Sequence, residues 1–112
     1  MNERQRRTPR RAPTHAVIVT DAMTGQAMGR IGNLSAGGML LIADQALPIG
    51  TLYQVQFTLP VTGHPSRTFE LGMQLLWSDA GPGQRPVWGG FRFISIAPDQ
   101  AQFLHAWSQS RS

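Results

Sequence analysis

The residues from Thr68 to Ser78 constrain this chain most. Phe69, Leu71, Met73, Leu75 and Trp77 alternate with Thr68, Glu70, Gly72, Gln74 and Ser78. A period of two places the five apolar side chains on one face of an extended strand. A shorter run repeats the pattern with Val55, Phe57 and Leu59. Farther on, Val87, Phe91 and Phe93 share a face, and Gly89-Gly90 between them marks a bend or a close backbone approach. The strands expected from these patterns cover 15–22, 27–33, 38–43, 51–60, 67–78 and 87–96. Turn chemistry separates them: Thr24-Gly25, Pro48-Ile49-Gly50 and Gly81-Pro82-Gly83. After Ala97, Pro98 suits the first position of a helix, and Asp99 suits the positive end of its dipole. Phe103 and Trp107, four apart, lie on one face of that helix. The expected fold is mainly β: a closed or nearly closed six-stranded antiparallel barrel with a short C-terminal α-helix over part of it.

With 112 residues the chain has room for one core. Residues 1–13 are polar, basic and broken by Pro9 and Pro13, so they read as a flexible N-terminal arm, with the barrel domain in 14–112. There is no cysteine, which removes disulfides and thiolate metal sites. No long apolar run occurs, and the N-terminus is charged where a signal peptide would be apolar. The expectation is a cytoplasmic protein that does not insert in membranes.

The net charge is +4, and all ten basic residues are arginine. Five of them fall between Arg4 and Arg11, which concentrates the charge in the arm. A guanidinium is a planar fork that grips phosphate in pairs of hydrogen bonds and stacks on a base. Taken alone, an arginine-rich terminus is an ordinary solvated tail. It contains Arg7-x-x-x-Arg11, however, and one hairpin later comes Asn33-Leu34-Ser35-Ala36-Gly37-Gly38, which reads Asn-x-Ser-x-x-Gly. Alternation puts Asn33 and Ser35 on the same side of an extended chain. Their amide oxygen and hydroxyl can accept hydrogen bonds from a ligand's N–H groups. Gly37 and Gly38 leave room for a base or phosphate near the backbone.

The two motifs, in this order and spacing, resemble the PilZ domain signature, RxxxR followed by (D/N)xSxxG. The resemblance covers nearly the whole chain, from Arg6 to the terminal helix. It implies a PilZ-like barrel that binds the bacterial second messenger cyclic di-GMP and signals to a downstream protein partner, as yet unidentified. It also implies a ligand site built from Arg6, Arg7, Arg11, Asn33, Ser35, Gly37, Gly38 and Trp77. Arg6-x-x-x-Arg10 satisfies the first motif too. The Arg7–Arg11 register is preferred because Ala12-Pro13 then leads into the first strand as the family usually does. In that register Arg6 precedes the motif, which in the family goes with a stacked pair of cyclic di-GMP molecules, and Arg10 is an auxiliary charge. Trp77 reads equally as a core aromatic or as a ring on which guanine stacks. Trp88 and Arg92 fall on the opposite parity from Phe91 and Phe93.

Catalysis has little support in the sequence. His15, His64 and His105 are scattered without ligand spacing, and the six acidic residues form no dyad. The expectation is a non-enzyme with no cofactor. One alternative is a PilZ-like protein-interaction scaffold with weak or no nucleotide binding. Another is a barrel that binds RNA through the arm, but the arm lacks the interleaved aromatics such surfaces use, so no nucleic-acid partner is expected.

Overall fold

The computed structural model describes residues 9–79 and 86–109. In chain order these form β1 (Ile18–Asp21), β2 (Ala27–Leu34), β3 (Gly38–Ala43), β4 (Leu52–Val61), β5 (His64–Asp79), β6 (Val87–Ser95) and α1 (Pro98–Gln109). The strands close into a barrel in the order β1-β2-β3-β6-β5-β4, with every pairing antiparallel. Closure leaves no exposed sheet edge to manage.

The turns follow their chemistry. Gly25 at φ 78° closes the β1–β2 hairpin, where its N–H donates to the Asp21 carbonyl at 2.8 Å. Gly50 at φ 88° and Gly63 at φ 78° do the same before β4 and between β4 and β5. The tight Thr62-Gly63 turn lets β5 begin at His64, which pairs with Val61, three residues earlier than expected. The Gly81-Pro82-Gly83 turn lies outside the described residues.

Alternation builds the core. Val55, Phe57 and Leu59 of β4 and Phe69, Leu71, Met73 and Leu75 of β5 are all buried. The Phe57 and Phe69 rings stack at 5.1 Å. Burying each such side chain contributes about 1.5–3 kcal/mol. Helix α1 packs onto this core with Leu104 and Trp107 buried and Phe103 tilted against Phe69 at 5.6 Å. Arg67 lies 4.6 Å from the centre of the Phe103 ring and pairs with Asp99 at 3.3 Å. The ion pair is solvent-exposed and adds little.

Three features depart from the sequence reading. The first strand is shorter than 15–22. Arg11 exchanges two backbone hydrogen bonds with Leu34, at 3.0 and 2.9 Å, and Ile31 N–H donates to Val17 O at 3.0 Å. Residues 12–16 therefore run opposite only Gly32 and Asn33 and must loop out, and Pro13 among them has no N–H for a ladder. Second, the same bridge ties Arg11 to the end of β2, so this part of the expected arm is joined to the barrel; residues 1–8 lie outside the described residues. Third, Trp77 does not continue the inward face of β5. The register between β5 and β6 shifts between Leu75 and Trp77. The extra residue reverses the phase, so Leu76 and Trp77 are 49% and 48% exposed.

Candidate ligand site

Ser35 organises the turn between β2 and β3. Its side chain is buried, and its Oγ accepts from the N–H groups of Gly37 and Gly38, both at 3.2 Å. Its own N–H donates to the Gly38 carbonyl at 2.9 Å. The loop is thus wrapped around one hydroxyl, a role serine suits because its side chain mimics a backbone acceptor. A Cβ on Gly38 would collide with the carbonyl oxygen of Phe91, so glycine is what lets β3 start against β6. Gly37 is exposed, with open space where a side chain would stand, and its carbonyl accepts from Phe93 N–H at 2.9 Å.

Asn33 sits just before this turn, after a register shift in β2 between Ile31 and Asn33. Its residue is half-buried, and its Oδ1 is fully buried without a hydrogen-bond partner among the described residues. An unpaired buried acceptor costs about 1–3 kcal/mol, and a ligand donor would relieve that cost.

Arg10 and Arg11 are adjacent, and an extended backbone sends their side chains to opposite sides. Arg10 donates through Nη1 to Ser35 Oγ at 3.2 Å. Partial burial pushes its guanidinium below the ordinary arginine value. No carboxylate among the described residues pairs with it. The residue as a whole is exposed, so the guanidinium stays charged and open to an anion. Arg11 turns the other way. Its Nη1 donates to the Trp107 carbonyl at 2.9 Å, and its guanidinium lies 4.4 Å from the centre of the Trp107 ring.

The structure therefore gathers Arg10, Asn33, Ser35, Gly37 and Gly38 at one end of β2 and β3. Arg11 faces α1 instead, and Arg6 and Arg7 lie outside the described residues. Trp77 is on the outer face of the same side of the barrel. The strand registers run Trp77–Gly90–Leu40–Asn33, three strand spacings or about 14 Å. Its indole lies over Gly90, where a Cβ would overlap the ring, so it leans towards Asn33. Trp88 is 39% exposed on this face, and Arg92 stands opposite Gly38, donating to Gln74 Oε1 at 3.4 Å. The sequence reading left Arg10 as an auxiliary charge. The overlapping Arg6-x-x-x-Arg10 motif was the signal that could have found it.

Among the described residues no group of three or more His, Asp or Glu is placed to hold a metal ion. No helix among them is long and apolar enough to cross a membrane.

The structure is thus a small closed barrel with a cationic segment joined beside a serine-centred turn. The PilZ domain family model matches residues 4–110, and the chain belongs to that family, whose members are generally cyclic di-GMP receptors. Among solved structures, the chain is similar in fold to the Bacillus subtilis inhibitor of motility MotI/DgrA. The TM-score is 0.75 at 18% identity, covering 93% of this chain and 49% of that one. The chain thus spans about half the length of that neighbour. No curated protein matches it by sequence.

Proposed function

We propose that this domain binds cyclic di-GMP at the Arg10–Ser35 end of the barrel and passes the signal to a protein partner through its N-terminal segment. The single observation that carries the reading is the Arg10 guanidinium, exposed, paired with no carboxylate among the described residues, and held on the Asn-x-Ser-x-x-Gly turn. It favours Arg6-x-x-x-Arg10 as the working register over Arg7–Arg11. In this reading Arg6 and Arg10 take the phosphates and the O6/N7 edge of guanine. The buried Asn33 Oδ1 accepts from guanine N1–H or N2–H. Ser35 acts mainly by shaping the turn and orienting Arg10. The open space beside Gly37 admits the ring, and Trp77 offers a stacking surface for a base.

The register also bears on stoichiometry. With Arg6 and Arg10 as the motif, Gln5 precedes it, so the arginine that goes with a stacked pair in the family is missing from that position. One ligand per chain follows.

Titration calorimetry tests the reading. Cyclic di-GMP should bind with a stoichiometry near one and displace cyclic di-AMP, whose adenine has an amino donor where guanine has O6. Arg10→Ala should weaken binding about ten- to a hundredfold, the loss of charged hydrogen bonds worth roughly 1.5–3 kcal/mol. Equal affinity for the two dinucleotides, or an Arg10→Ala variant that binds as tightly as the parent, would refute it. A stoichiometry of two with Arg7→Ala as the damaging change would restore the other register.

A further inference from the structure

The far side of the Arg10–Arg11 pair opens onto a groove that the nucleotide reading does not use. It holds about 320 Å³. Arg11, Pro13 and Thr14 form one wall, residues 59–62 and His64 from the end of the β4–β5 hairpin a second, and Phe103, Ala106 and Trp107 of α1 the third. Arg10, Asn33, Ser35 and Gly37 do not line it.

Its chemistry is lopsided. Leu59, Pro60, Val61, Phe103 and Trp107 supply apolar surface. The two prolines have no N–H, so these stretches of backbone offer fewer donors to a ligand. Arg11 brings a positive charge and His64 an imidazole, and no lining residue is acidic. A volume near the lower bound for ligand pockets, roughly 300 Å³, suits a side chain or two rather than a large cofactor. Tryptophan and arginine are also among the residue types enriched where binding energy concentrates at protein interfaces.

We propose that this groove docks a short acidic segment of a partner protein, with an aromatic or large aliphatic side chain seated against Phe103 and Trp107 and a neighbouring carboxylate facing Arg11 and His64. The groove shares no lining residue with the Arg10–Ser35 turn, so the proposal does not depend on the ligand reading.

The test uses the full chain as bait for a random peptide library on phage. Peptides that emerge are synthesised and measured by fluorescence anisotropy without nucleotide. The enriched sequences should pair Asp or Glu with Phe, Trp or Leu. Thr62 and Ala106 are both exposed on the rim, so changes there leave the core alone. Thr62→Glu and Ala106→Glu should each weaken binding about tenfold or more by like-charge repulsion. Thr62→Gln, of the same size, should stay within about threefold of the parent. The proposal is overturned if no peptide is enriched, if the enriched peptides lack acidic residues, or if Gln and Glu at position 62 act alike. It is also overturned if inorganic phosphate alone displaces the peptide completely, which would mark a simple anion site.

Discussion

Removing the Ser35 hydroxyl separates a structural role from a ligand contact. Ser35→Ala leaves the backbone intact and deletes an acceptor used by the N–H groups of Gly37 and Gly38 and by Arg10. Gly38 is buried, and its N–H would then face apolar surroundings near Met39 and Phe91. One buried donor left without a partner costs about 1–3 kcal/mol. The Gly37 N–H is nearer water and recovers most of its loss there. The expected destabilisation is therefore about 2 kcal/mol, which lowers the thermal midpoint of a domain this size by roughly 8–16 °C. Urea denaturation should show a lower midpoint with an unchanged slope, since the surface exposed on unfolding is the same. Cyclic di-GMP titration well below the midpoint then isolates the second effect. Affinity should fall because Arg10 loses its anchor, yet less than for Arg10→Ala. A Ser35→Ala protein as stable as the parent to within about 0.5 kcal/mol would refute the serine-centred turn.

Other changes probe the neighbouring elements. Gly38→Ala forces a methyl onto the Phe91 carbonyl, a backbone atom that cannot swing aside, and should cost about 2 kcal/mol or more in chemical denaturation. Arg11→Ala removes the contacts to Trp107 and should lower stability by about 1–2 kcal/mol while sparing nucleotide affinity relative to Arg10→Ala; calorimetry on both variants checks the contrast. Trp77→Ala should leave the thermal midpoint nearly unchanged, because the ring is half-exposed, yet weaken cyclic di-GMP by about 1–3 kcal/mol if a guanine stacks there.

The barrel was legible because its signal is local and repeated. Each strand carries its own alternation, and each turn its own glycine, so the spans of β3, β4 and β6 could be read to within a residue. Helix α1 was legible from Pro98, Asp99 and the Phe103–Trp107 spacing. Of the two readings Trp77 carried, the core one fails for a physical reason. A single-residue bulge flips the phase of everything beyond it, and the tryptophan has the same hydrophobicity whichever side it faces. The shortening of the first strand has a similar origin, since the pairing of Arg11 with Leu34 is a long-range register that no window of residues 9–20 contains. At the site, the turn was recognised but the direction of its groups was not. Ser35 was read from the sequence as a ligand contact; the structure adds that its Oγ accepts from the backbone of its own turn and from Arg10. Which of Arg10 and Arg11 meets the turn depends on which side of an extended chain faces it, and that is set by the Leu34 bridge.

That bridge also bears on whether ligand binding is affordable in conformational entropy. Two backbone hydrogen bonds fix Arg11, so only the residues upstream of it need be positioned by a ligand. In the proposed reading the upper limit is the five residues from Arg6 to Arg10, at about 1–2 kcal/mol each, or roughly 5–10 kcal/mol, less whatever the Arg10–Ser35 contact has already fixed. Two arginines gripping phosphate and guanine through about four charged hydrogen bonds return roughly 6–12 kcal/mol, at about 1.5–3 kcal/mol each. The terms nearly balance, and Asn33 and base stacking can tip them towards binding. Were the pin at Arg11 absent, six further residues, Arg11 to Ala16, would need fixing and the balance would turn unfavourable. In the proposed reading Arg11 serves the site without facing it: its backbone bridge holds the near end of the cationic segment to the barrel, with Arg10 beside Ser35.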